Sequence, residues 1–531
     1  MNIAADLKPE STQVSTMNFT AIVVGGGLAG MVVARELALR GRRVTLIERS
    51  SRLGGKAGSD IKNGRLVEHG YHVFPQWYPN VRSIVERIGV KLIDFDRYHF
   101  LLPGGYPQKI TVLGPSGLSA MWHYVFNGLL PWYHNLLYIY SVLDMISRPL
   151  SDKRYLDRVS QIGLIRGKWY TSESVAEMGQ ENVLKASAIP VYDLSAMTAK
   201  RIASYWVKQA SPFLSVLPGD LQTIFIDPQV RELEELGIEI RYNTEVCGLV
   251  MHEGTVAAVA LRDGTEMSAD VYALCTPFEV TRTWLQDRFY EADPELGNMH
   301  FLEAQPMAAL HLLLRRELPD LPREHVFLHG SYYALSFIDV GRLWTGGNGK
   351  PQLSFISSNY SPLNGVSKEG AKNLLLKEIS EYLPITADDV ESWELNPNTD
   401  VPLFINTIGA WSSRPRPKTK IKNLYLAGDY IKNAIDLACM EGAVCAALEA
   451  AAQILSDQGE TESLPVVQIP PEWPRALLVF ARILMIPVVA IARIIAWLEE
   501  KFSPHRPDAS DIRRQTTPSL QRDSRPPRKR W

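Results

Sequence analysis

An apolar strand, Phe19 to Val24, runs without a spacer into Gly25-Gly26-Gly27-Leu28-Ala29-Gly30. From Leu28 to Leu39 the pattern LAGMVVARELAL has helical spacing and good helix formers, and beyond Gly41 a second apolar run, Val44 to Ile47, ends on Glu48. Strand, glycine turn, helix and strand make a βαβ unit, which commits the chain to a parallel sheet. Each glycine then has its own reason. Gly25 permits the tight turn, Gly27 lets the backbone approach a pyrophosphate, and Gly30 allows close packing of helix on strand. The helix start, at Leu28 and Ala29, offers partial positive charge to the same anion. Glu48 stands 18 residues beyond Gly30, where a carboxylate accepts hydrogen bonds from an adenosine ribose.

The sequel separates one dinucleotide from another. Glu48-Arg49-Ser50-Ser51-Arg52-Leu53-Gly54-Gly55-Lys56-Ala57 sets a second glycine pair just past the second strand, where the long FAD molecule must still be accommodated. The length, 531 residues, allows two to four domains of roughly 150 residues each. A hydrophobic share of 46% and a net charge of −2 exclude a disordered chain and leave no basic surplus for nucleic acid. Cys247, Cys275, Cys439 and Cys445 form no CxxC pair, so neither a disulfide framework nor a zinc site is expected. His69 and His72 have no third ligand at matching spacing, and no metal is expected there. The first 16 residues are polar and lack a signal peptide's apolar run. A cytoplasmic setting is the expectation.

With these elements the sequence resembles the flavin amine oxidase and carotenoid desaturase superfamily. The likeness sharpens at Glu68-His69-Gly70-Tyr71-His72-Val73-Phe74 and Tyr78-Pro79-Asn80, which are similar to motifs of phytoene and zeta-carotene desaturases. Asn423-Leu424-Tyr425-Leu426-Ala427-Gly428-Asp429-Tyr430 and Ala438-Cys439-Met440-Glu441-Gly442-Ala443-Val444 resemble the same family's flavin-closing signature. The resemblance implies a non-covalent FAD held by Gly25, Gly27, Leu28, Ala29, Gly30, Glu48, Arg49, Gly54, Gly55 and Lys56 at its diphosphate and ribose end. Val246, after the strand EIRYNTE, is placed at the adenine, and Gly428 and Asp429 at the pyrophosphate or ribityl region. A helix starting near Met440 aims free N–H groups at the ring position where reduction places negative charge. His72 and Glu441, within flavin-adjacent motifs, are candidates for proton removal. In one departure, Pro75-Gln76-Trp77 stands where the desaturases usually continue with Phe-Gly, close to the expected meeting of substrate and flavin, and leaves the substrate's identity open.

Two stretches lie outside these motifs. Residues 110 to 143 contain no Asp, Glu, Lys or Arg, but Gly114, Pro115, Gly128 and Pro131 divide them into pieces shorter than a membrane span. They read as two apolar helices that line a greasy cavity or touch a membrane, with plain burial in a core as the equal alternative. After Pro465 comes PPEWPRALLVFARILMIPVVAIARIIAWLEEKF, whose longest uncharged run, Ile483 to Ala492, is ten residues, too short to cross a bilayer. At about 100° per residue, Arg475, Arg482 and Arg493 form one narrow stripe. The spacing predicts a helix over 474–500, kinked at Pro487, that lies in the membrane interface with its arginines reaching headgroups, the alternative being a helix packed on the protein's own surface. Residues 501 to 531 add nine Lys or Arg against three Asp.

The expected fold is α/β: a discontinuous Rossmann-like FAD-binding domain (18–90, 216–285 and 409–456), a substrate- or membrane-facing helical region (91–215), an α+β substrate domain (286–408), a disordered start (1–17), and an amphipathic helix with basic tail (457–531). The expected function is FAD-dependent dehydrogenation of a long apolar polyprenoid, with hydride passing to flavin N5 and a membrane quinone or O₂ as electron acceptor. The rivals are an amine oxidase, a hydroxysqualene dehydroxylase type of enzyme, and a non-catalytic prenyl-binding escort. A peripheral membrane location follows from the substrate, which hardly dissolves in water.

Overall fold

The computed structural model describes residues 19–62, 65–114, 122–149, 153–190, 192–208, 212, 214–345 and 350–502. The expected disordered start, residues 1–17, and the basic tail beyond Phe502 lie outside the described residues.

Five parallel strands form the first sheet, in the order Leu424–Leu426, Val271–Leu274, Thr20–Val24, Arg43–Ile47, Glu239–Arg241. Thr20–Val24 lies in the middle and is apolar on both faces, as a strand covered from both sides must be. The opening helix, Leu28–Ala38, and the closing helix, Met440–Asp457, pack against each other on this sheet, and Met31, Ala34, Val444, Ala447 and Ala450 share one core. Three distant parts of the chain thus build one discontinuous sheet. The strands fall within the segments 18–90, 216–285 and 409–456. A hairpin, Val246–His252 and Thr255–Leu261, turns at Glu253 and Gly254 with φ of 47° and 77°, the left-handed pair a two-residue turn needs.

The second sheet has seven strands in the order Val390–Pro397, Ala308–Leu314, Gln352–Ser357, Leu335–Asp339, Val326–Leu328, Arg97–Leu101, Ile110–Leu113. It joins segments 91–215 and 286–408, which the sequence reading kept apart. One face is sealed by the helix Lys368–Tyr382, whose Leu375 and Ile379 share a core with Leu310, Leu312 and Phe355. Across a cavity from the sheet lie three helices, Trp132–Ser147, Glu173–Ser187 and Ala196–Lys208.

The C-terminal helix, Arg475–Phe502, is continuous through Pro487 and packs along Trp132–Ser147, here called the cavity helix. Its length and apolarity are sufficient for a membrane crossing, so the ten-residue uncharged run understated it. The arginine stripe also faces the other way from the expectation. Arg482 pairs with Asp144 at 2.9 Å, Arg475 Nε donates to the Ser147 carbonyl at 3.3 Å, and Arg493 pairs with Glu500 at 3.1 Å. At the far end Glu499 accepts from Tyr133 and meets His134 at 2.9 Å. The buried carboxylate of Asp144 outbids solvent for Arg482, because a charge-assisted bond is stronger where water is scarce, whereas Arg493 pairs with an exposed Glu500 on its own helix. Only Val489, Ala492 and Ala496 are buried along the helix, while Phe480, Leu484 and Ile491 are 63%, 68% and 58% exposed.

Candidate functional site

One continuous cavity of about 2190 Å³ runs from the glycine turn, between the two sheets, to the cavity helix and the start of the C-terminal helix. A pocket for one drug-sized ligand is typically about 300–1,000 Å³, so this cavity has room for a cofactor and a long second molecule. Its dinucleotide end is walled by Gly25, Gly27, Leu28, Ala29, Glu48, Arg49, Gly54, Gly55, Lys56, Val246, Gly428, Asp429 and Met440. The fold thus brings together thirteen of the sixteen expected site residues at one end, with His72 on the same cavity's wall.

The glycines differ in what they face. A Cβ on Gly27 would meet nothing within 4 Å, and the opening helix behind it has no side-chain cap and no acidic residue in its first turn. Its free N–H groups look onto open space, a ready site for an anion. Gly25 has φ +103° and Gly54 φ +125°, conformations L side chains avoid. Gly30 lines no cavity: a Cβ there would lie 1.9 Å from the Gly25 carbonyl oxygen, so its role is close packing, as expected. Glu48 accepts from the Gly26 N–H at 2.7 Å and the Ser50 N–H at 2.8 Å. These bonds fix the carboxylate, and each oxygen keeps a lone pair for a ribose hydroxyl. Lys56 stands 3.9 Å from Asp429.

His72 donates from Nδ1 to the Gly70 carbonyl at 2.9 Å if that nitrogen carries the proton, leaving Nε2 as a lone-pair acceptor. Burial, opposed by the Gly70 bond and assisted by His69, pushes its pKa down to about 4. The imidazole is therefore neutral at neutral pH. Glu441 is placed otherwise than the sequence reading supposed. It is fully buried, does not line the cavity, and accepts from the Asn80 N–H at 3.0 Å, Asn80 Nδ2 at 2.5 Å and the Val81 N–H at 2.8 Å. Its carboxyl caps the helix Pro79–Arg87 from across the fold and ties it to the closing helix. Burial, against those three donors, pushes it up to about 7. Proton removal from a substrate needs contact with the cavity, which Glu441 lacks.

Past the motifs the cavity becomes apolar and aromatic. The uncharged stretch contributes Tyr124, Tyr138, Ile139, Val142 and Leu143, the greasy lining expected of it. Pro75, Trp77 and Tyr78 lie on the wall between the two ends, and Trp77 stacks on Tyr205 at 5.3 Å. The seven-stranded sheet supplies Tyr98, Phe327 and Ile356. No local motif marks these sheet residues. Alternation along short strands is their only signature. Tyr71, beside His72, bonds His325 at 2.6 Å and Ser336 at 2.7 Å, a buried polar link between motif and sheet. Among the described residues no group of three or more His, Cys, Asp or Glu could hold a metal.

Comparison with known proteins places this geometry. Residues 23–88 match an NAD(P)-binding Rossmann-like domain, and residues 191–455 match the flavin containing amine oxidoreductase family. A 15-cis-phytoene desaturase of Glycine max is 23% identical over 463 residues, covering 82% of this chain and 79% of its own. A zeta-carotene desaturase of Synechocystis sp. is 24% identical over 502 residues, covering 83% and 98%. Among solved structures, a putrescine oxidase superposes with TM-score 0.62 at 17% identity, over 83% of this chain and 99% of that one. Cyclohexylamine oxidase from Brevibacterium oxydans superposes with TM-score 0.60 at 13% identity, over 83% and 100%.

Proposed function

The chain belongs to the flavin amine oxidase superfamily as an FAD-dependent oxidoreductase of the carotenoid-desaturase type, and from that premise we propose that it dehydrogenates a long apolar polyprenoid. The carrying observation is the single cavity that continues from the glycine turn into an aromatic and aliphatic chamber. A small polar amine would leave most of that chamber empty.

The residues present fit FAD. Gly27, Leu28 and Ala29 would offer the free N–H groups of an uncapped helix start to the diphosphate, while Gly25, whose own N–H is bonded to the Ile47 carbonyl, makes the turn that exposes them. Glu48 would take the ribose, with Arg49 beside it, and Val246 would border the adenine. Gly54, Gly55, Lys56, Gly428 and Asp429, all on the same wall, would hold the middle of the cofactor. Met440, opening the closing helix, directs the positive helix end at the ring. When bound, FAD supplies a two-electron acceptor that takes hydride from carbon.

The protein's own work is placement and drying. A C–H bond beside a double bond reacts once its carbon is held roughly 3–3.5 Å from the acceptor atom. Trp77, Tyr138 and the cavity helix hold a chain-like substrate against that end and keep water out. The remaining proton leaves to a lone pair at the wall, and His72 Nε2 is the candidate. Glu441 acts at a distance, by fixing the closing helix.

The C-terminal helix seats the enzyme in a membrane surface. Its exposed face is largely apolar, Arg482 and Glu499 are paired with the cavity helix at its two ends, and Leu477, Leu478, Ala481 and Met485 line the cavity. Docked along its length in this way, it lies in the interface rather than crossing it. Polyprenoid then passes from bilayer to cavity without meeting water. The test is incubation of membrane-reconstituted holoenzyme with a panel of polyprenoids, squalene derivatives and amines, with a quinone or O₂ as acceptor, followed by product mass. Loss of about 2 Da, hydride plus proton, from a polyprenoid supports the reading. Turnover of amines alone, or a hydroxyl lost from a squalene alcohol, rejects it.

A further inference from the structure

A second, smaller recess of about 270 Å³ lies where the cavity helix ends, the helix Ala196–Lys208 passes and the C-terminal helix begins. It is lined by Arg148, Lys200, Ser204, Glu472, Trp473 and Arg475, among others, and takes no part in the reaction proposed above. Its cations are brought close by shared anchors. Lys200 Nζ donates to the carbonyls of Met145, Ile146 and Arg148, and Arg475 Nε to that of Ser147. These are successive carbonyls at one helix C-terminus, so the ammonium and the guanidinium stand side by side.

Local anions do not use up this charge. Asp144 is shared between Arg148 and Arg482, and Glu472 lies 3.4 Å from Arg201. The Arg475 Nη groups have no hydrogen-bond partner among the described residues. Neither has the hydroxyl of Ser204, a residue only 8% exposed and on the recess wall. Burial pushes Lys200 down to about 8, with Glu472 opposing and Arg201, Arg475 and Arg148 adding to the effect. A surplus of positive potential with idle donors at a concave site calls for an oxyanion.

We propose that this recess binds the phosphate diester of an anionic membrane lipid, with Arg475 and Ser204 as hydrogen-bond donors and Arg148 and Lys200 as charge. The surroundings favour a lipid over free phosphate. Trp473, on the rim and 40% exposed, carries Lys208 over its ring at 3.8 Å, and the exposed apolar side chains Phe480 and Ile483 follow within three turns. An aromatic and a basic residue bordering an apolar face mark headgroup level. The inference rests on the interfacial seat proposed above. It adds a specific headgroup to it.

The test uses full-length holoenzyme without substrate, titrated calorimetrically with dihexanoyl phosphatidylglycerol kept monomeric, and separately with dihexanoyl phosphatidylcholine and inorganic phosphate. The expected result is saturable binding of the glycerol lipid, about tenfold tighter than either other probe. It should weaken about tenfold in the double variant Arg475→Gln, Ser204→Ala, the scale of one charge-assisted bond, while flavin absorbance reports an intact fold. Equal affinity for inorganic phosphate makes this a free-anion site and overturns the proposal, as do equal affinity for the choline lipid, unchanged binding by the variant, or no binding. Because no turnover is measured, failure of the polyprenoid assay leaves this result standing, and the reverse holds too.

Discussion

Glu441 gives the sharpest expectation, because its environment fixes a sign. In the folded chain its carboxyl is pushed from the ordinary 4.5 up to about 7 by burial, despite three N–H donors. Between those two values the folded state holds a proton that the unfolded state has released. Stability is therefore full below pH 4.5 and declines as pH rises through 7. At about 1.4 kcal/mol per unit, the decline from this one residue amounts to about 3 kcal/mol. Replacing Glu441→Gln removes the titration and substitutes a constant cost of about 1–3 kcal/mol, since the amide N–H₂ must face one of the Asn80 or Val81 donors. Urea midpoints at pH 4.5, 6, 7 and 8, followed by flavin fluorescence, should show a variant less stable than wild type at pH 4.5 and gaining on it by about 3 kcal/mol by pH 8. Parallel profiles, with a gap constant to within about 1 kcal/mol, would refute the assignment of a buried, proton-holding cap.

Two glycines should separate folding from cofactor binding. Gly27→Ala meets no protein atom and should leave apo-protein stability within about 0.5 kcal/mol of wild type, while the flavin content of purified protein falls. Gly30→Ala drives a Cβ to 1.9 Å from the Gly25 carbonyl oxygen and should cost about 1–3 kcal/mol or more, read as lost folded yield even with excess FAD. His72 is held neutral above about pH 4, so His72→Asn should lower the rate constant for flavin reduction without removing a limb from its pH profile between roughly pH 5 and 8. Asp144→Asn, which leaves Arg148 and Arg482 without their shared carboxylate, should loosen the C-terminal helix. Proteolysis near residue 475 and faster amide exchange over residues 475–502 are the readouts.

What the sequence shows plainly is local. The glycine turn, its helix and Glu48 lie within one supersecondary unit, and their physical requirements are written in adjacent residues. The closing helix and the uncharged cavity stretch were legible for the same reason, through composition and period. The misreadings concern partners far away along the chain. Glu441 and Asn80 are 361 positions apart, so nothing in the motif shows that the carboxylate caps a helix rather than facing a substrate. Arg482 and Asp144 are 338 apart. The wheel showed a basic stripe but not which side of the helix the protein would occupy. The seven-stranded sheet adds two strands from residues 97–113 to five from 308–397, a pairing that periodicity does not encode. Its wall residues Tyr98 and Phe327 were invisible as site residues until the strands were paired.

The inversion of the C-terminal helix carries a consequence for how substrate arrives. A helix on a protein surface in water hides its apolar side chains and displays its charges. Here Arg475, Arg482 and Glu499 turn inward to protein partners, while Phe480, Ile483, Leu484 and Ile494 are each more than half exposed. Fully burying one such side chain is worth about 1.5–3 kcal/mol, so an aqueous neighbour would forgo that gain along the whole face. A hydrocarbon neighbour recovers it, and the inward charges spare that medium a buried ion. The same helix is also the cavity's wall, with Leu477 and Met485 on the inside. On the proposed seat, this one helix would stand between acyl chains and cavity, and a polar substrate arriving by that route would have to cross the apolar face first. On the proposed interfacial seat, the apolar face that would favour a membrane would also favour an apolar substrate.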